Sequence, residues 1–386
     1  MKKRSIGVIA ALAAAAALAI VASAMARPGA TAVASAASCS NVQIGMTAPI
    51  TGPAGSIGSD QLHWAQFYFT QWNKTHKLKI HLVQFDDQLD PAKAATGAQS
   101  FASNSKIVGV IGPAGSDQVQ AAAPILKKAG LAFASGSATR VSLTDGTWKG
   151  FFFRDVPNDG VQGPTDAAYM TSKLGVTHGD TVMIVDDQES YSTGLADIVG
   201  QALSATSGLK VDRESVSQKA TDFSSLVAKV DNKTKVVFLP FQVASEAQLF
   251  AQQLKAQGKT AVVFGSDGTF DSSKFNPEGA LISFFAPDVT TIPADNAIVT
   301  AFHKQFPGAT SPFGAPNYVL AQMYAAAVTK VCAHGKISRA AVRAAVLKVS
   351  LTSSLIGPVK LTANGDVAGA QFHIFKVING KYVTIA

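Results

Sequence analysis

The sequence predicts an α/β protein: two Rossmann-like lobes, each on a central and mainly parallel sheet, joined by three hinge crossovers. Three observations predict this. Short apolar runs without polar alternation, such as Ile107–Ile111, read as strands buried on both faces. Segments of helical period lie between them. The alternation breaks and restarts near residues 157, 287 and 360, at Pro157 and Gly160, around Phe285-Ala-Pro287, and after Gly357. A content of 47% hydrophobic and 15% charged residues in a 386-residue chain suits large buried sheets. The length predicts more than one domain. The expected boundaries are 40–157 plus 288–360 for the first lobe and 158–287 plus 361–386 for the second.

Met1-Lys-Lys-Arg4 followed by an Ala/Leu/Ile/Val run to Ala26 reads as a secretory signal, with small-residue cleavage sites at its end. Residues 27–39 form a low-complexity linker. The formal charge of +8 overstates the mature chain, because Lys2, Lys3, Arg4 and Arg27 lie at or before the cleavage region, leaving 29 basic against 25 acidic residues. No basic run interleaved with aromatics remains, which argues against a nucleic-acid partner.

Strand 42–47 leads into a loop containing Gly52, Gly55 and Gly58, whose spacing is not the dinucleotide fingerprint. Helix 61–73 carries Trp64, Phe67, Tyr68, Phe69 and Trp72, a core face at this spacing. Strand 78–86 ends in Asp86-Asp87, read as a solvated strand end, and Asp90 caps helix 91–104.

The most informative stretch runs from Ile107 to Thr144. Strand 107–111 enters the turn Gly112, Pro113, Gly115, Ser116 and an Ala-rich helix closed by Gly130. Strand 131–134 then enters a second turn, Ser135-Gly-Ser137-Ala138-Thr139. Each corner places hydroxyls and free backbone N–H groups at a helix N-terminus, where the helix dipole favours an anion. Both stand at carboxyl ends of neighbouring parallel strands, where open α/β sheets bind ligands. Ser116, Ser137 and Thr139 read individually as helix caps, and together as a site.

After the first crossover a fresh series begins: strand 181–186, helix 194–206, strand 209–216, helix 222–230, strand 235–241, helix 244–257 and strand 260–265, followed by Gly265-Ser-Asp267-Gly268. Past the second crossover, a helix from Asn296, the helix 317–332 and helix 338–349 belong with the first lobe. Cys39 and Cys332 are the two cysteines of an exported chain. They fall at ends on the face away from the ligand edge, which suits a disulfide; lipidation of Cys39 and free thiols are the alternatives.

The mature chain resembles a type I periplasmic solute-binding protein of the branched-chain amino-acid (leucine/isoleucine/valine-binding) ABC transporter family. The resemblance runs through Ile44-Gly45, Pro49-Ile-Thr-Gly-Pro-Ala, Asp86-Asp87, Asp90-Pro91, Val110-Ile-Gly112, Ser137-Ala-Thr139 and Gln162-Gly-Pro164. It continues in Asp187-Gln188, Tyr191, Gly194-Leu-Ala196, Asp222-Phe-Ser224, Gly357-Pro358 and Asn364-Gly-Asp366. It implies an extracytoplasmic binding subunit of an ABC importer, periplasmic or at the cell surface and lipid-anchored in the alternative reading of Cys39. That subunit is a monomer without cofactor or metal, docking on a membrane permease. It implies that Ser116, Ser137, Ala138 and Thr139 hold the α-carboxylate of a branched-chain or other hydrophobic amino acid. Asp267 meets the ammonium and Tyr191 faces the ligand. Phe241 stands where relatives often place a tyrosine, so the ligand is open: an aromatic acid, an amide or another small carboxylate is the alternative, as is a sensing role.

Enzyme motifs are missing: there is no C-x-x-C, H-E-x-x-H, G-x-S-x-G or P-loop, and the seven histidines are dispersed. The expectation is a binder.

Overall fold

Runs of valine, isoleucine and phenylalanine form two separate main sheets. In the first, five parallel strands stand in the order Ile80–Asp86, Val42–Ala48, Ile107–Ile111, Ala132–Ser135, Phe152–Arg154. In the second, the order is Lys381–Thr384, His373–Ile378, Leu281–Phe284, Val262–Gly265, Thr234–Leu239, Thr181–Asp186, Lys210–Ser215. Its strands between 181 and 284 are parallel, and the C-terminal hairpin joins antiparallel. The computed structural model describes residues 37–386 except 288, 309 and 310. The expected signal segment 1–26 and most of the 27–39 linker lie outside the described residues.

Every residue of Ile107–Ile111 and of Thr181–Asp186 is buried, as the unbroken apolar runs require of strands covered on both faces. The long helix Gly314–Cys332 returns to cover the first sheet. Its Tyr324 is fully buried, with the hydroxyl 3.0 Å from Val110 O and 2.9 Å from Ala132 O. Gly109 makes that approach possible, since a Cβ there would stand 2.3 Å from the Tyr324 ring. The chain thus leaves the first sheet, builds most of the second, and returns before its end.

Two local expectations need correcting. The first helix spans Gly55–Thr75, so part of the expected glycine loop is helical. Gly58 serves close packing, because a Cβ on it would lie 2.2 Å from Pro49 O. Asp87 is not solvated. It is fully buried, accepts from the Thr47 hydroxyl at 2.9 Å and from Leu89 N at 3.0 Å, and burial pushes its carboxyl up to about 6. Asp90 caps its helix as expected, accepting from Ala92 N and Lys93 N. Trp64, Phe67 and Phe69 are core, with Trp64 stacked on Phe302 at 3.8 Å. A disulfide joins Cys39 to Cys332, with an S–S distance of 2.08 Å, and leaves no free cysteine among the described residues.

Candidate functional site

On the first lobe, helix Ser116–Lys128 starts after Gly115, which offers no side chain to cap it. Its first N–H groups therefore face the sheet edge without a cap of their own. The neighbouring corner is tied to this one by Ser135, a residue the sequence reading passed over. The Ser135 hydroxyl donates to Pro113 O at 2.7 Å and accepts from Ser137 N at 3.3 Å and Ala138 N at 2.9 Å. The Ala138 N–H is thus occupied, and its side chain is core, so Ala138 does not present a free donor as expected. Ser137 donates to Ala114 O at 2.8 Å and receives Gln61 Nε2 at 2.7 Å, while Ser116 accepts from Arg140 N at 3.3 Å. The Thr139 hydroxyl is buried with no hydrogen-bond partner. Arg154, fully buried, holds the corner from behind: it donates to Ala138 O and Arg140 O, both at 2.9 Å, and pairs with Asp366 at 2.7 Å.

On the second lobe, strand Val262–Gly265 delivers Asp267 to the opposite wall. The Tyr191 hydroxyl stands 2.6 Å from Asp267 Oδ1 and 2.7 Å from Ser266 Oγ; its single proton goes to the carboxylate, and Ser266 donates to it. Burial pushes the Asp267 carboxyl up to about 6 against the opposing pull of the Tyr191 bond. Behind it lies Asp159, which the sequence reading missed. Its backbone N–H donates to Thr139 O at 2.9 Å, and both carboxyl oxygens are buried without partners. Burial first, then the charge of Asp267, push it up to about 7. The only local signal was its place in Asn158-Asp159-Gly160, where the chain crosses and a helix begins.

Phe241 is not at the wall as expected. It is fully buried in the second-lobe core against Phe223, because the strand ends at Leu239 and the next residues turn it inward. The adjacent Gln242 faces the cleft instead, its N–H bonded to Asp187 Oδ2 at 3.0 Å and its Oε1 buried without a partner. Between the walls lies a narrow, nearly filled cleft of about 20 Å³, polar at Ser116, Ser137, Tyr191, Gln242 and Asp267 and apolar at Pro49, Ala54, Ile57, Leu89 and Phe313. Larger cavities open beside Trp64 and Tyr382 and beside Asp155 and Ile356, but neither touches the two corners or Asp267.

The sequence model of the family described as periplasmic binding protein matches residues 41–381. The chain belongs to that family. This periplasmic binding protein is 26% identical over 354 residues to the leucine-specific-binding protein of Salmonella typhimurium, covering 89% of this chain and 93% of the relative. A leucine-binding protein, LivK, from Thermotoga maritima superposes with a TM-score of 0.79 at 20% identity, over 89% of this chain and 98% of that one. A solute-binding protein of an ABC transporter from R. palustris, in complex with benzoate, gives 0.78 at 19% identity, over 90% and 96%. At these identities the structural likenesses establish the fold alone.

In this binding protein the lobes touch on both rims of the cleft. Asp117 of the first lobe accepts from Ser190 N of the second at 2.8 Å, capping helix Ser190–Ser204, whose own preceding residue Glu189 makes no side-chain cap. The Arg140 guanidinium reaches Ser190 O alongside. On the other rim Ser56 donates to Asp271 at 2.8 Å and Lys274 Nζ to Pro53 O at 3.2 Å. These bonds join groups from different lobes across the cleft. Among the described residues, no group of three or more His, Cys, Asp or Glu side chains could hold a metal ion, and no helix is long and apolar enough to cross a membrane.

Proposed function

We propose that the protein is the exported substrate-binding subunit of an ABC importer and captures a small hydrophobic amino acid between its lobes, without catalysing a reaction. The lobes are bounded at 40–157 plus 288–360 and at 158–287 plus 361–386, and the closed form docks on a membrane permease as a monomer. The observation that carries the reading is the amphiphilic cleft. A buried carboxyl, Asp267, oriented by Tyr191, faces the uncapped N-terminus of helix Ser116–Lys128, with an apolar wall beside both. An α-amino acid with an apolar tail complements all three: ammonium at Asp267, carboxylate at Ser116 and Thr139, side chain against Ile57, Leu89 and Phe313. The names of the similar proteins, leucine-specific and leucine-binding, support it.

The second reading is an aromatic or other small carboxylate without an amine, favoured by the benzoate-bound neighbour. A thermal-shift screen with leucine, isoleucine, valine, phenylalanine and benzoate separates the two, since a ligand that binds only the folded form raises the midpoint by mass action. A shift with the amino acids, lost in Asp267→Ala, supports the first reading. A shift with benzoate alone, retained in Asp267→Ala, removes Asp267 from the site.

A further inference from the structure

The turn between strand Ile80–Asp86 and helix Pro91–Ser103 holds two consecutive non-glycine residues in the left-handed region, Gln88 at φ 52° and Leu89 at φ 61°. A leucine there brings its Cβ against its own carbonyl, and such a conformation persists only where the surroundings over-determine it. Here they do. Asp86 Oδ1 accepts from Gln88 N at 3.1 Å, the buried Asp87 accepts from Leu89 N at 3.0 Å, and Gln118 Nε2 donates to Leu89 O at 2.7 Å. Gln118 is itself 1% exposed and sits in the first turns of helix Ser116–Lys128. That bond fixes which way its amide points, so its Oε1 is turned toward Gly115 and the second-lobe Gln242. Leu89 lines the cleft with Ile57 and Phe313, and packs on the apolar cluster of the second lobe.

We propose that Leu89 sets the size of the side chain the cleft accepts, and that Gln118 is the positioning residue that holds it there. The proposal rests on the amino-acid reading of the cleft and adds the specificity determinant. The strained turn has no need of a leucine for its own conformation, which glycine would adopt freely. What leucine supplies is an apolar surface on the wall of the cleft, beside Ile57 and Phe313.

The test is calorimetric titration of the disulfide-intact protein with leucine and with phenylalanine, in wild type, Leu89→Ala, Leu89→Gly and Gln118→Glu. Removing the Leu89 side chain is expected to raise the phenylalanine-to-leucine affinity ratio by roughly tenfold or more, the scale on which a methylene or two is read in an apolar pocket. Leu89→Gly should give the same change, although it also relieves the backbone. Gln118→Glu, isosteric but without the donor, should move the ratio in the same direction. A ratio within about twofold of wild type in both Leu89 variants, with leucine still bound, overturns the assignment of Leu89. An unmoved ratio in Gln118→Glu alone overturns the role of Gln118. Wild-type protein that binds neither ligand overturns the amino-acid reading, and this proposal with it.

Discussion

Asp267 and Asp159 carry different burdens at the same depth. Asp267 has the Tyr191 hydroxyl for a partner, whereas both Asp159 oxygens are buried outside hydrogen-bonding geometry, with only the pull of the nearby Thr139 hydroxyl to offset burial. An ammonium group at Asp267 makes a charge-assisted bond, so Asp267→Asn should weaken amino-acid binding by roughly 2–3 kcal/mol, about 30- to 160-fold, in a titration at neutral pH. Asp159 predicts a pH effect on the ligand-free protein. Its folded pKa, about 7, is raised above the ordinary carboxylate value. Its contribution is therefore fully present below that ordinary value and lost as pH rises through about 7. Asp159→Asn should raise the melting midpoint at pH 8 relative to wild type and leave it little changed near pH 4; no difference between the two pH values would contradict this. Neither the burial of Asp159 nor the inward turn of Phe241 was legible in the sequence. Both depend on which face a residue presents after a strand has ended, where period no longer constrains direction.

At the scale of the element, much was legible because local and global signals agree. Ile107–Ile111 reads as a doubly buried strand and is one, and Asp90 reads as a cap and caps. The first helix was misplaced because Gly55 and Gly58 carry turn chemistry in the sequence, yet serve close packing in the fold. Gly58→Ala should therefore destabilise by more than the helix propensity it gains: its Cβ meets Pro49 backbone, and forced overpacking costs about 1–3 kcal/mol by denaturant titration. Ser135 shows the opposite case, a strand-ending serine that holds its own corner through Ser137 N and Ala138 N and joins it to the other through Pro113 O. Ser135→Ala leaves two backbone N–H groups and a carbonyl without that partner. A loss of about 1–3 kcal/mol of stability is expected, with weaker ligand binding than the stability loss alone explains.

The molecule as a whole is a two-lobed clamp closed by polar bonds on either rim. One of those rims is acidic. Burial first, then Asp117 across the gap, push Glu189 up to about 7, and burial pushes the neighbouring Glu246 up to about 8. The Asp117 charge reaches Glu189 from the other lobe, so that part of the Glu189 shift favours contact between the lobes below the ordinary carboxylate value and is lost as pH rises through about 7. Ligand affinity should fall over that range. Asp117→Asn, which keeps an acceptor for Ser190 N but removes the charge, should flatten the pH dependence. The disulfide links residues 293 apart in sequence, and reducing it should lower stability by about 5–6 kcal/mol in the chain-entropy view, measured as a fall in the denaturant midpoint.

The central claim is that the clamp reads an amine and a carboxylate together. The measurement that tests it most directly is a paired calorimetric titration with leucine and with 4-methylpentanoate, which is leucine without its amine. Leucine is expected to bind, and its desamino analogue to bind at least about 30-fold more weakly. Equal affinity for the two, or binding of the desamino acid alone, would contradict it.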